Sequence, residues 1–163
     1  MKILEYKPAN PVHKAALRQL MVRYFAELDW DNPRDAIPPS AVPKLLRLIA
    51  DCLAQGEFWV CLAREKGVLC GFIAAQIDGE QKDWCKRPGW GFIRELYVEP
   101  QQRGKGIAGK LVRRAEASIQ KSGAAQIYLT SELNGFWEAM GYTDSGEIYP
   151  GNGGKIYEKR FDV

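Results

Sequence analysis

Residues 101–112 read QQRGKGIAGKLV, a glycine-dense turn running straight into an amphipathic pattern. Three phosphate-binding signatures overlap in it. Gly104, Gly106 and Gly109 spell G-x-G-x-x-G, the dinucleotide fingerprint. Gly104, Gly109 and Lys110 spell most of a P-loop, G-x-x-x-x-G-K. Gln101, Gly104 and Gly106 spell Q-x-x-G-x-G, a pyrophosphate loop of another kind. All three would set an anion on the backbone N–H groups of a helix N-terminus, where unpaired donors and the macrodipole favour negative charge.

The flanking sequence decides among them. Working outward, WGFIRELYV (90–98) reads as a strand stopped by Pro100, and Ala108, Leu111, Val112, Ala115 and Ile119 line one helical face up to Gly123. Upstream, KILEY (2–6) reads as a strand, and 14–28 and about 41–55 as helices. EFWVCLAR (57–64) and VLCGFIAAQI (68–77) read as strands of a hairpin turning at EKG, and 78–89 as a polar loop. Downstream, 125–130 reads as a strand and 132–140 as a short helix with Ser131 as N-cap, followed by strands in YTDSGEIY and KIYEKRF. The order β-α-α-β-β-β-α-β-α-β-β describes a mixed sheet carrying helices, with no repeat or linker.

Context removes two parses. A dinucleotide site needs an acidic residue at the end of the next strand to hold the ribose. QIYLT offers none, and Glu132 comes too late. A P-loop needs Ser or Thr after the lysine to ligate magnesium, but position 111 is a leucine on the apolar face. Q-x-x-G-x-G keeps a strand before it and a helix behind it. With no side chains at Gly104 and Gly106, a pyrophosphate can approach the amides, and Arg103, Lys105 and Lys110 add positive charge.

The bulk properties are those of a globular enzyme-sized domain. The 163 residues are 46% apolar and 26% charged, which suits one domain, 1–163, with its own core. A net charge of +3 is too small to point to nucleic acid. No run approaches the roughly 18 apolar residues of a membrane span, and MKILEYKPAN has no apolar leader core, so the expected location is cytoplasmic. Four scattered cysteines and a single histidine make no metal-ligand cluster, so no metal is expected. Cys52, Cys61 and Cys70 read as small core residues, Cys85 as a loop residue, and His13 as structural.

LYVEPQQRGKGIAGKLV resembles motif A of the GNAT superfamily of acyl-CoA-dependent N-acyltransferases, and GFWEAMGY (135–142) is similar to its motif B. The likeness covers nearly the whole chain. It implies an α/β (α+β) single-domain GNAT-like fold: a mixed sheet of about seven strands, splayed between the fourth and fifth and flanked by about four helices. The co-substrate implied is acetyl-CoA. Its pantetheine arm would pair with the backbone of Leu96, Tyr97 and Val98 as an added strand does. Its pyrophosphate would lie on Gln102, Arg103, Gly104, Lys105, Gly106, Ile107 and Ala108, the last a position where many members carry glycine. Phe136 and Trp137 would lie beside the thiol end.

The implied reaction is direct attack of an amine on the thioester, which requires the ammonium to lose a proton. Glu95 is the candidate base, and strand alternation puts it on one face with Tyr97, with Arg94 and Leu96 on the other. Family members present a tyrosine as acid where this chain has Trp137, and an indole does not give up its proton at neutral pH. Tyr97 or Tyr142 would take that place, or the thiolate leaves unassisted. Thr130 and Leu133 also depart from the family pattern. An acidic, aromatic stretch of Glu27, Asp29, Trp30, Asp31 and Asp35, diluted by Arg34, would suit a cationic acceptor, a small-molecule or peptide amine. Loop 78–89, with Trp84 and Trp90 near its ends, would close over it. Dimerisation is common in the family, but no feature here fixes an interface. The rival expectation is an acyl-CoA-binding module without catalysis.

Overall fold

The computed structural model describes residues 1–31, 37–79, 86–151 and 153–161, with the side chains of 29–31 left out. Seven strands and four α-helices stand in it: β1 (Lys2–Glu5), α1 (Pro11–Asp31), α2 (Val42–Gln55), β2 (Phe58–Glu65), β3 (Val68–Ile77), β4 (Gly91–Val98), α3 (Ile107–Lys121), β5 (Gln126–Ser131), α4 (Phe136–Ala139), β6 (Thr143–Ile148) and β7 (Lys155–Arg160). The sheet order is β1-β2-β3-β4-β5-β7-β6, and β4–β5 is its parallel pair. Among the described residues, no helix is long and apolar enough to cross a membrane.

Local chemistry explains the element boundaries. α1 begins three residues before its apolar repeat because Asn10 caps it: Asn10 Oδ1 accepts from the N–H groups of Val12 (2.9 Å) and His13 (3.2 Å), and Pro11 sits at the first turn. His13 Nδ1 accepts the Lys7 N–H at 3.1 Å and its ring lies against Tyr6, a structural role. The β2–β3 hairpin turns on Lys66 (φ 50°) and Gly67 (φ 78°), the left-handed pair that a two-residue turn needs. α4 is shorter than expected, and Ser131 does not cap it. Ser131 belongs to β5, where its Oγ accepts the Leu133 N–H at 3.0 Å, and the cap is Gly135, whose N–H donates to Glu138 Oε2 at 2.8 Å.

The sheet has a core on each face. α3 covers one, where Leu111, Val112, Ala115 and Ile119 meet Ile73, Ala75, Ile93 and Ile127. α1 and α2 cover the other, where Leu17, Leu20, Phe25 and Leu46 meet Leu62, Phe72, Ala74 and Tyr97. Cys61 and Cys70 are buried and Cys52 is half-buried, as their apolar neighbours predict.

Two features of β4 shape the centre of the molecule. β4 carries a bulge: Ala74 pairs with Glu95 but Ala75 pairs with Ile93, so Arg94 is the extra residue. A bulge bends its strand and increases local twist. Pairing of β4 with β5 stops at Gly91↔Ile127 and Phe92↔Tyr128, and past that point the two strands diverge. α3 presses on the junction just before the divergence, where a Cβ at Gly91 would come within 2.4 Å of Ile119 Cγ2. Only glycine fits there.

Candidate active site

Beyond Val98 the chain makes one 3-10 turn, Pro100–Gln102, and then the glycine loop. Gly104 (φ 79°) and Gly106 (φ 80°) are left-handed, and a Cβ on either would meet no protein atom within 4 Å. Their lack of side chains therefore serves backbone conformation and outside access, not internal packing. Gly106 caps α3 with no side-chain hydrogen bond. The first amides of α3, from Ile107 and Ala108 on, point out of the helix as uncompensated donors. Such a turn has the geometry to cradle an anion on backbone.

The side chains around the cradle hold it to its surroundings. Lys105 Nζ donates to Gln102 Oε1 at 2.8 Å. Arg103 turns back: its Nε donates to the Val98 carbonyl at 2.8 Å, its Nη2 to Glu27 Oε2 at 2.8 Å, and its guanidinium lies 5.7 Å over the Tyr97 ring. The hydrogen bond to Glu27 raises the Arg103 pKa further. Arg23 also pairs with Glu99, so α1 is tied to the loop at two points. α4 lies alongside, with Met140 Sδ 3.5 Å from where a Gly109 Cβ would stand.

In the middle of β4, Glu95 is half-buried on the α1 side, and Tyr24 of α1 donates its hydroxyl proton to Glu95 Oε2. Burial pushes the carboxyl pKa up, opposed by the Tyr24 hydrogen bond and the Arg94 charge. Tyr97 shares this face, buried against Tyr24 and Phe72 with ring centroids 5.5 and 6.4 Å away. Burial raises its pKa, with Glu27 and Glu99 adding to the effect. Leu96 points to the opposite core, as alternation predicts. Arg94 does not. Its Nη1 donates to Gln76 Oε1 at 3.0 Å, and Gln76 shares a face of β3 with Phe72 and Ala74. The bulge breaks the alternation on which the opposite expectation rested.

Tyr142 stands apart from these groups. It is buried in the α3-side core, and its hydroxyl donates to Glu116 Oε2 at 2.7 Å, an oxygen that Lys159 Nζ also reaches at 3.0 Å. Burial, then the Glu116 charge, raises its pKa. The structure thus brings Tyr97 and Glu95 together and leaves Tyr142 on the other side of the sheet. Phe136 is half-buried and packs edge-on to Trp137 at 4.8 Å. Trp137 is buried, and its Nε1 is the buried side-chain polar atom without a hydrogen-bond partner among the described residues. A buried donor left unpaired is costly.

Sequence reading missed a polar cluster beside Gly91. The buried Asp78 accepts from the Tyr128 hydroxyl and the Lys86 N–H (3.2 Å). Arg87 pairs with Glu158 (2.7 Å) and Glu147 (2.9 Å), and lies over the rings of Trp90 and Tyr128. Asp78 and Tyr128 are fifty residues apart, so no local pattern could have joined them. The acidic stretch read as an acceptor lip keeps Glu27 on α1. Asp29, Trp30, Asp31, Arg34 and Asp35 lie outside the described side chains, as do Trp84 and Cys85 of the loop. A groove of about 940 Å³ runs between α1, the β2–β3 turn and Gln101–Gln102, and Tyr97 lines it.

An acyl-CoA fits these residues on three counts: the uncapped glycine turn, the β4 edge left by β5 after Phe92, and an unsatisfied buried donor on the neighbouring helix α4.

The sequence model of the Acetyltransferase (GNAT) family matches residues 22–142. Acetyltransferase Atu2258 of Agrobacterium fabrum is 33% identical over 79 residues, 45% of this chain and 58% of that protein, so the match spans little more than half of the relative. An aminoglycoside 6'-acetyltransferase type Ii superposes with a TM-score of 0.73 at 23% identity, over 98% of this chain and 97% of that one. A GNAT family acetyltransferase from Brucella melitensis in complex with acetyl-CoA superposes with a TM-score of 0.64 at 22% identity, over 99% and 88%.

Proposed function

The chain belongs to the GNAT acetyltransferase family, and on that premise we propose that it transfers an acetyl group from acetyl-CoA to the primary amine of a small molecule or peptide. The observation that carries the reading is β4 itself: it leaves β5 after Phe92 and runs into an uncapped glycine turn, with Glu95 on the face opposite α3. The co-substrate supplies a thioester, whose carbonyl carbon bonds to the amine nitrogen as the carbon–sulfur bond breaks and the thiolate leaves.

The chain's own residues do the rest. The amides from Gly104 to Ala108 hold pyrophosphate, and the backbone of Leu96, Tyr97 and Val98 lines up an extended arm. Trp137 Nε1–H donates a hydrogen bond, not a proton, to the arm or its thiol end. Glu95, with its pKa raised by burial, takes a proton from the acceptor ammonium near neutral pH. Holding the two reactants in line supplies much of the rate, roughly 7–11 kcal/mol for well-oriented pairs. Tyr97 is better placed than Tyr142 to protonate the leaving group, because the Tyr142 hydroxyl is engaged by Glu116 on the other side of the sheet.

The test has two steps. The thermal midpoint is measured with acetyl-CoA, CoA, ATP–magnesium and NAD in turn; a ligand at a hundred times its Kd stabilises by about 2.7 kcal/mol. A rise with the two CoA species alone supports the reading, and a rise with ATP or NAD overturns it. Thiol release from acetyl-CoA is then followed across a panel of primary amines. Binding without release by any amine would favour the rival reading of a module that binds acyl-CoA and does not turn it over, to which Trp137 in place of the family tyrosine lends its one support.

A further inference from the structure

The hydroxyl of Tyr24 reaches Glu95 across 71 residues of sequence, from the middle of α1 to the middle of β4. It is the carboxylate's one hydrogen-bond partner among the described residues, made to Oε2, which leaves Oε1 to accept a proton. The ring is held on three sides. Phe25 lies 5.3 Å away, Tyr97 5.5 Å, and Phe72 meets it edge-on at 5.8 Å and 83°. A ring so packed keeps one direction for its O–H.

We propose that Tyr24 is a positioning residue for the acetyl-transfer base, fixing the orientation of the Glu95 carboxylate by a hydrogen bond made to its charged form. The inference rests on the assignment of Glu95 as base. The charged and titratable groups around the pair are Arg94 and Tyr97 on β4 and Glu27 on α1, with the neutral Gln76 on β3. Arg94 is drawn to Gln76, so Tyr24 makes the direct contact with the carboxylate. Its own pKa is pushed far up by burial and by the Glu95 and Glu27 charges, so it stays a donor throughout the working pH range. α1 is also the helix that Arg23–Glu99 and Arg103–Glu27 tie to the glycine loop, so the same helix that orients the base is anchored to the cradle.

The experiment is the pH profile of kcat/KM for the whole chain, Tyr24→Phe and Glu95→Gln with one accepted amine. It is paired with a carboxyl-carbon NMR titration of Glu95 in the unliganded protein. Tyr24→Phe is expected to move the acid limb up by roughly one pH unit, the tenfold in proton affinity that one hydrogen bond to a charged group provides. Above that limb its rate stays below the parent's, because the carboxylate is no longer held in one orientation, and the Glu95 resonance titrates at the correspondingly higher pH. An acid limb unmoved in Tyr24→Phe, with Glu95→Gln still abolishing the limb, overturns the proposal alone. A limb that persists in Glu95→Gln overturns the base assignment and this proposal with it. If Tyr24→Phe does not fold, the unaltered protein still decides: ionisation of Glu95 must shift the Tyr24 ring resonances at the pH of the kinetic limb, and silence there overturns the link.

Discussion

The C-terminal end of β4 with the turn that follows it, and the middle of the strand, do different work with different materials. The end, Val98 to Gly109, is backbone: two left-handed glycines and an uncapped helix, contiguous in sequence and open to the outside. The middle is side chain: Glu95 with Tyr24 from α1, and Arg94 with Gln76 from β3, assembled around a bulge. A site made of backbone depends on local conformation and tolerates change in its neighbours' side chains. A site made of side chains from three elements depends on packing, and one altered contact resets its chemistry. Each variant below tests whether the two regions separate as cleanly as this.

The largest expected effect is at the cradle. Gly106→Glu places an anion in the turn proposed to hold pyrophosphate, and acetyl-CoA affinity by calorimetry should fall at least 100-fold, about 2.7 kcal/mol. The control is Gly106→Asn, since asparagine tolerates the left-handed region: it should keep most of the affinity. Equal loss in both would mean that backbone strain, not charge, governs the cradle. Next comes the junction that separates the two regions. Gly91→Ala drives a methyl into Ile119, and overpacking of this kind costs about 1–3 kcal/mol in chemical denaturation. Less than 0.5 kcal/mol would show that α3 can slide and that the divergence of β4 and β5 is not pinned there.

Tyr142→Phe removes one hydrogen bond to the buried Glu116, which keeps Lys159. A stability loss of about 1.5 kcal/mol is expected, with kcat unchanged. A drop of tenfold or more in kcat would return Tyr142 to the acid role and blur the division between the two faces. The smallest effect is in the pH dependence of stability. Burial raises the Glu95 pKa in the folded state, so its contribution to stability is complete below the ordinary carboxylate range and declines as pH rises through the folded value. Glu95→Gln, which cannot ionise, should therefore have the higher thermal midpoint at pH 8 and lose that advantage by pH 4. The opposite trend would mean that Tyr24 and Arg94 outweigh burial.

The contrast between the regions also explains what was legible. The order of all eleven elements can be read from periodicity and turn residues, because each rests on neighbours three or four positions away in a helix and two in a strand. The glycine turn can be read for the same reason. The chain around Glu95 is different. Its residue type, on an apolar strand, marked it as a candidate, but alternation placed Arg94 on the wrong face because a bulge leaves no mark in IRELY. Tyr24 looked like one more apolar position on α1, and only its partner across the sheet gives its hydroxyl a task. Ser131 has the residue type of a cap, but the cap is a glycine, Gly135, whose role depends on backbone geometry (φ 90°) and not on a side-chain acceptor.

By itself the sequence determined the architecture and the left-handed glycine turn, since both are written in contiguous residues whose backbone preferences act locally. The tertiary structure alone decided which side of the sheet each candidate serves. It joined Tyr24 to Glu95, turned Arg103 back to Val98 and Glu27, and engaged Tyr142 with Glu116. Those pairings join residues from 5 to 76 positions apart, and what selects them is the register of a bulged strand and the packing of helices on two faces, quantities that exist only once the chain has folded.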